Sequence, residues 1–159
     1  MSNVKICYDN LEITQIPNSD SISIWGTVFF CVQDICFPSR DWDDLLDILV
    51  PMWIEKTEAL ITQNKRRCTL NFCDGPFQVD VIRKEADTLE LVFIKQSINH
   101  SSVQMIACTE LNAFLHSLLS LGQAFLDYCC NYACPIYRST VGQTLKGHCA
   151  ILRAYLETH

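Results

Sequence analysis

Ten cysteines and four histidines give this chain its widest chemical repertoire. Thiolates and imidazoles bind zinc, and a thiol beside a histidine acts as a nucleophile. Spacing decides among those uses. Cys31 and Cys36 are five positions apart, as are Cys68 and Cys73. Zinc knuckles usually leave about two to four residues between ligands. In a regular strand an odd separation sends two side chains to opposite faces. Neither pair is therefore expected to chelate one ion. Cys130 and Cys134, four apart, share a face on a helix, with Cys129 off that face and His148 and Cys149 as further donors. The plainer reading is a helix end padded by small apolar thiols. His100, His116, His148 and His159 sit in no local nucleophile signature. The chain has no Gly-x-Ser-x-Gly elbow, no Gly-x-x-x-x-Gly-Lys-Ser/Thr loop and no Gly-x-Gly-x-x-Gly turn. The expectation is no catalytic residue, no metal site, no cofactor and no enzyme activity.

Carboxylates are the second resource. Asp41, Asp44 and Asp47 recur at i, i+3 and i+6, Asp43 and Asp47 at i and i+4, and Glu55 and Glu58 follow Pro51. A paired-carboxylate acid–base site could be drawn from them, but acids at a helix start are already explained by the helix dipole and by solvation. With Trp42 and Trp53 nearby, the group reads better as a protein-binding surface, since tryptophan at a charged surface anchors many interfaces. Asp41, Asp43, Asp44, Asp47, Glu55 and Glu58 are the predicted contacts. The bland counterpart is an amphipathic helix with its acids in water and both tryptophans in the core. Lys65-Arg66-Arg67 is too short a basic run to imply nucleic acid, and Asp74-Gly75-Pro76-Phe77 is turn chemistry.

Net charge supports this direction. The 159 residues carry a formal charge of −6. Residues 1–63 hold ten acids against three bases, −7, and residues 64–159 hold eight against nine, +1. Any acidic face must come from the first 63 residues. A general nucleic-acid binder needs the opposite sign. An acidic face suits a basic protein partner, because complementary charge speeds encounter.

Elements to position these residues are visible in the hydropathy pattern. Val4, Ile6 and Tyr8, then Leu11, Ile13 and Ile16, alternate as two strands, and Pro17-Asn18-Ser19-Asp20 is a turn. Residues 22–32 read as a strand, with Ile22 and Ile24 alternating against Ser21 and Ser23. A helix is expected from Ser39, capped by its hydroxyl, with Trp42, Leu45, Leu46, Leu49, Trp53, Leu60 and Ile61 forming the apolar stripe. Pro51 should kink or divide it. Alternation over 67–73, 77–82 and 89–94 predicts a three-stranded meander, with a polar turn at 84–87 and a short further strand at 103–107. Two helices should follow, one over 109–134 capped by Thr109 and ended by Pro135, one over 140–157 with Val141, Leu145, Cys149, Leu152 and Leu156 on one side. Strands and helices in separate runs predict an α+β domain, a mainly antiparallel sheet with helices packed on it, as a single domain over 1–159.

Residues 1–9 lack the basic and apolar segments of a signal peptide, and no apolar stretch reaches the roughly 18 residues that span a bilayer. The expected setting is the cytoplasm, without membrane contact, where the cysteines should be mostly free and buried.

The pattern Phe37-Pro38-Ser39-x-x-Trp42-x-Asp44, a helix, then Phe72-x-Asp74-Gly75-Pro76-Phe77 resembles that of bacterial immunity proteins of polymorphic toxin and contact-dependent growth inhibition systems. The resemblance covers about residues 20–95 and rests on folding motifs. It implies a small cytoplasmic α+β protein that neutralises a cognate toxin domain, often a basic nuclease, and it carries over no binding residues. Two other readings stand beside it: a small Cys/His metal-binding protein or enzyme, and an oligomeric adaptor using apolar surface of the 109–134 helix.

Overall fold

Backbone alternation at the N-terminus builds one long strand where two were expected. In a computed structural model, which describes residues 1–85 and 87–159, β1 (Val4–Gln15) pairs antiparallel with β2 (Ile22–Val32) through the 16–21 turn. A bulge between Asp9 and Glu12 joins the two alternating runs, with Asn10 in the left-handed region at φ 52°. Two short strands, β3 (Ile35–Phe37) and β4 (Asp43–Leu45), share the other side of β2.

The helix expected from Ser39 begins later. Residues 43–45 are tied to 25–27 as β4, and the Val28 amide donates to the Trp42 carbonyl. Ser39 Oγ donates to Asp41 Oδ1 at 2.9 Å instead of capping a helix. Sheet pairing outweighs helix propensity here. α1 (Leu46–Thr62) then runs unbroken through Pro51, so the proline does not divide it. Its buried stripe is Leu46, Leu49, Val50, Trp53, Ile54, Leu60 and Ile61. Each large apolar side chain so buried contributes about 1.5–3 kcal/mol.

The meander has four strands, β5 (Arg67–Asn71), β6 (Phe77–Arg83), β7 (Thr88–Gln96) and β8 (Ser101–Glu110), in that order. The expected 84–87 turn includes Ala86, which lies outside the described residues. The segment expected as a short strand at 103–107 is the centre of the ten-residue β8. Thr109 is its buried penultimate residue, paired with Leu89, and caps nothing. α2 (Leu111–Tyr132) follows directly, then the short α3 (Cys134–Arg138) with Pro135 in its first turn, then α4 (Thr140–Thr158), capped by Ser139 Oγ, which accepts from the Gly142 amide at 3.2 Å. Gly142, not the half-exposed Val141, joins Leu145, Cys149 and Leu152 on the buried side of α4.

The fold is α+β, with both antiparallel sheets and the helices sharing one hydrophobic core. The sheets meet through aromatic rings: Phe30 and Phe37 from the first lie edge-on to Phe93 of the second, at centroid distances of 5.5 and 5.1 Å. Helix side chains satisfy the sheet edges. Trp53 Nε1 donates to the Asn71 carbonyl at 2.8 Å and Lys56 Nζ to the Thr69 carbonyl at 2.8 Å, along β5. Ser117 Oγ of α2 accepts from the Ile6 amide of β1 at 2.7 Å. Among the described residues no helix is long and apolar enough to cross a membrane.

Candidate functional site

The six predicted acidic contacts do not form one face. Asp44 is fully buried. Its carboxylate accepts from the Leu45 amide (2.7 Å), Trp42 Nε1 (3.2 Å) and the amides of Cys73 and Asp74 (3.1 Å each), pinning the turn after β5 to the start of β4. Burial pushes its pKa up, and those donors act against the rise. Asp44 therefore offers a partner nothing. Asp47 is half-buried and accepts from the Ile24 amide at 2.9 Å. Glu58 pairs with His148 of α4. Asp41, Asp43 and Glu55 stay exposed. The helix face expected to collect these acids is absent because 41–45 is not helical.

Trp53 belongs to the core, and Trp42 packs against it with its ring 5.0 Å from Phe77. Both follow the bland reading. The tryptophan at the surface is Trp25, 36% exposed on β2.

Around Trp25 the outer face of the first sheet assembles a different acidic group. Asp9, Thr27 and Asp43 are cross-strand neighbours in one row over β1, β2 and β4. Glu12, Trp25 and Leu45 form the next row. Asp9 and Glu12 are three apart and would face opposite ways in a regular strand. The bulge inserts one residue between them, so both lie opposite residues of the same β2 face. Asp43 Oδ1 accepts from Thr27 Oγ1 at 2.8 Å, which fixes one carboxylate beside the indole. Asp9, Glu12 and Asp43 are all exposed. Ion pairs among the described residues join Arg67 to Asp80, Lys84 to Glu90 and His148 to Glu58, and use none of these three carboxylates. The result is an aromatic anchor rimmed by unneutralised negative charge on an open sheet face.

Sequence reasoning missed Trp25, Asp9 and Glu12. Two signals pointed to them. The excess of acid in residues 1–63 already counted Asp9 and Glu12. The alternation that buries Ile22 and Ile24 puts Trp25 on the side of Ser21 and Ser23.

The same face changes character toward its other end. Cys31 stands opposite Lys5 on one side and Cys36 on the other. Cys31 and Cys36 were expected to point apart, as in one strand. The Gln33-Asp34 turn falls between them, so they sit on adjacent strands and share a face. Cys7 lies on the diagonal, opposite Phe29. The Cys31 thiol donates to the Gln33 carbonyl at 3.1 Å, within the turn that joins the two strands. Desolvation, then the neighbouring Cys36, pushes the Cys7 and Cys31 thiols up, which disfavours thiolate at rest.

All ten cysteines are free, but the expected burial holds fully only for Cys129 and Cys149; Cys73, Cys108, Cys130 and Cys134 are exposed. Cys130 and Cys134 do not share one helix, because α2 ends at Tyr132; the Cys134 thiol donates to the Cys130 carbonyl at 3.3 Å. His100, His116 and His159 are exposed. Among the described residues no three His, Cys, Asp or Glu side chains converge as metal ligands.

Comparison of the chain with protein-family models, with curated proteins and with solved structures finds no match.

Proposed function

We propose that this chain is an immunity protein that binds a cognate bacterial toxin domain in the cytoplasm and occludes its active site or substrate path. The observation that carries this reading is the partly exposed Trp25 with Glu12 opposite it and Asp9 and Asp43 in the adjacent row of the same face, none of them ion-paired. Desolvated aromatic side chains dominate many interfaces, and a ring of like charge steers an oppositely charged partner toward them. A nuclease toxin presents a basic surface where it holds its phosphate-bearing substrate. Trp25 fits such a surface twice over: its ring takes an Arg or Lys across its face, and the neighbouring carboxylates pair with the remaining cations. Occlusion needs no chemistry from the inhibitor. Asp41 and Glu55 are exposed and extend the negative field; Asp44, Asp47 and Glu58 serve the fold.

The test is a pull-down with this chain as bait against the product of the neighbouring upstream reading frame, with growth as readout. A one-to-one complex that abolishes the product's toxicity is expected. Replacing Asp9, Glu12 and Asp43 together by Lys should slow association about tenfold or more at low salt. Trp25→Ala should weaken the complex by about 2 kcal/mol, roughly thirtyfold, with an unchanged melting profile. No complex, or toxicity that persists in its presence, overturns the immunity reading. A complex indifferent to all four changes relocates its surface.

A further inference from the structure

We infer that Cys31 and Cys36 are a dithiol–disulfide couple, a covalent modification site that exchanges with small-molecule disulfides. Two observations carry this. The two residues are directly opposed across the β2–β3 hairpin. Both are partly open to solvent.

Geometry selects this pair among the three clustered thiols. In a two-residue hairpin the residues flanking the turn, Val32 and Ile35, form the hydrogen-bonded pair. The two kinds of pair alternate, so Cys31 and Cys36 are of the closer kind, with Cα atoms about 4.5 Å apart. That lies within the roughly 4.4–6.8 Å that a disulfide bridges. Cys7 is a diagonal neighbour of Cys31, at about 7–8 Å for such positions, beyond that range without backbone movement.

The exchange balances in two steps. The Cys31 thiol loses its proton and its sulfur attacks one sulfur of a small disulfide. The S–S bond of that molecule breaks, and one half leaves as a thiolate that takes up a proton. The Cys36 thiol then loses its proton and attacks the Cys31 sulfur in the mixed disulfide. The second half leaves as a thiol, and the Cys31–Cys36 bond forms. The pair gives up two electrons and two protons, and the small disulfide, reduced to two thiols, receives them.

This inference is independent of the partner reading, since its readout is the chain's own covalent state. The full chain is equilibrated with glutathione disulfide and glutathione over a range of ratios, quenched in acid, alkylated and mapped by peptide mass. The expected product is a Cys31–Cys36 cross-link formed at ratios where Cys73 and Cys108 are alkylated or singly glutathionylated. Cys7→Ser should retain the cross-link. Cys36→Ser should leave Cys31 with one glutathione and no cross-link. A wild-type chain with only separate mixed disulfides at Cys31 and Cys36 overturns the inference. So does a Cys36→Ser chain that forms a Cys7–Cys31 bond as readily as the wild type forms its own.

Discussion

Asp44 holds two distant parts of the chain together. It is fully buried, yet four donors converge on it, two of them amides about thirty positions away in the turn at Cys73 and Asp74. Removing a buried acceptor leaves each donor with its full desolvation cost, about 1–3 kcal/mol apiece. Asp44→Ala should therefore lower stability by about 3 kcal/mol or more, read as a shift of the urea midpoint. Asp41→Ala, exposed and three residues away, should change it by less than about 0.5 kcal/mol. Equal effects would mean that the turn does not depend on Asp44. The two residues looked alike in the sequence because spacing reports position along a helix, and this segment is not a helix.

Elements interlock through a few specific contacts. α1 and α4 are distant in sequence, and Glu58 of one pairs with His148 of the other in a partly buried site. A double-mutant cycle on Glu58→Gln and His148→Ala should return a favourable coupling of about 0.5–3 kcal/mol near neutral pH. Additive single effects would assign the packing of these helices to apolar contacts alone. Those contacts are close: a Cβ on Gly122 of α2 would meet Cys149 Sγ of α4 at 3.1 Å and Ile54 Cδ1 of α1 at 3.2 Å. The bulge in β1 works in the same economical way. One extra residue rotates Asp9 and Glu12 onto a common face, and Gly26 on β2 leaves room for it: a Cβ there would lie 3.2 Å from the Asp9 carbonyl oxygen and 2.6 Å from Leu46 Cδ1.

Taken whole, the molecule pairs a sealed interior with chemically varied open faces, and pH probes the difference. Burial raises the thiols of Cys68 and Cys149 to about 11 and that of Cys129 to about 12, from an ordinary value of 9.0. Above pH 9 the unfolded chain releases these protons while the folded chain keeps them. The folded state then binds more protons than the unfolded one, so stability falls with rising pH. Their stabilising contribution is fully present below pH 9.0 and is lost progressively as pH climbs to about 12. Urea midpoints between pH 8 and pH 11 should decline, and a Cys129→Ala, Cys149→Ala double variant should decline less steeply from its lower starting stability. Parallel slopes would sink the idea that buried thiols set the alkaline limit.

Composition and periodicity alone determined the α+β class, the antiparallel meander, the two long helices that follow it and the acid excess of residues 1–63. These properties are local, or they sum over the chain: alternation of period two and recurrence of three and four arise wherever one side of an element is buried. Tertiary structure decided the rest. Pairing with β2 turned 43–45 into a strand and moved the start of α1 from Ser39 to Leu46, because ladder hydrogen bonds and the buried Asp44 outweigh a capping preference worth about 1 kcal/mol. A hairpin turn brought Cys31 and Cys36 together where strand alternation would have kept them apart. A bulge and two strand pairings gathered Asp9, Glu12, Trp25 and Asp43, which span 35 positions in the chain. Which acids face water, which hold a turn and which surround an indole depends on register, and register is a property of the assembled sheet.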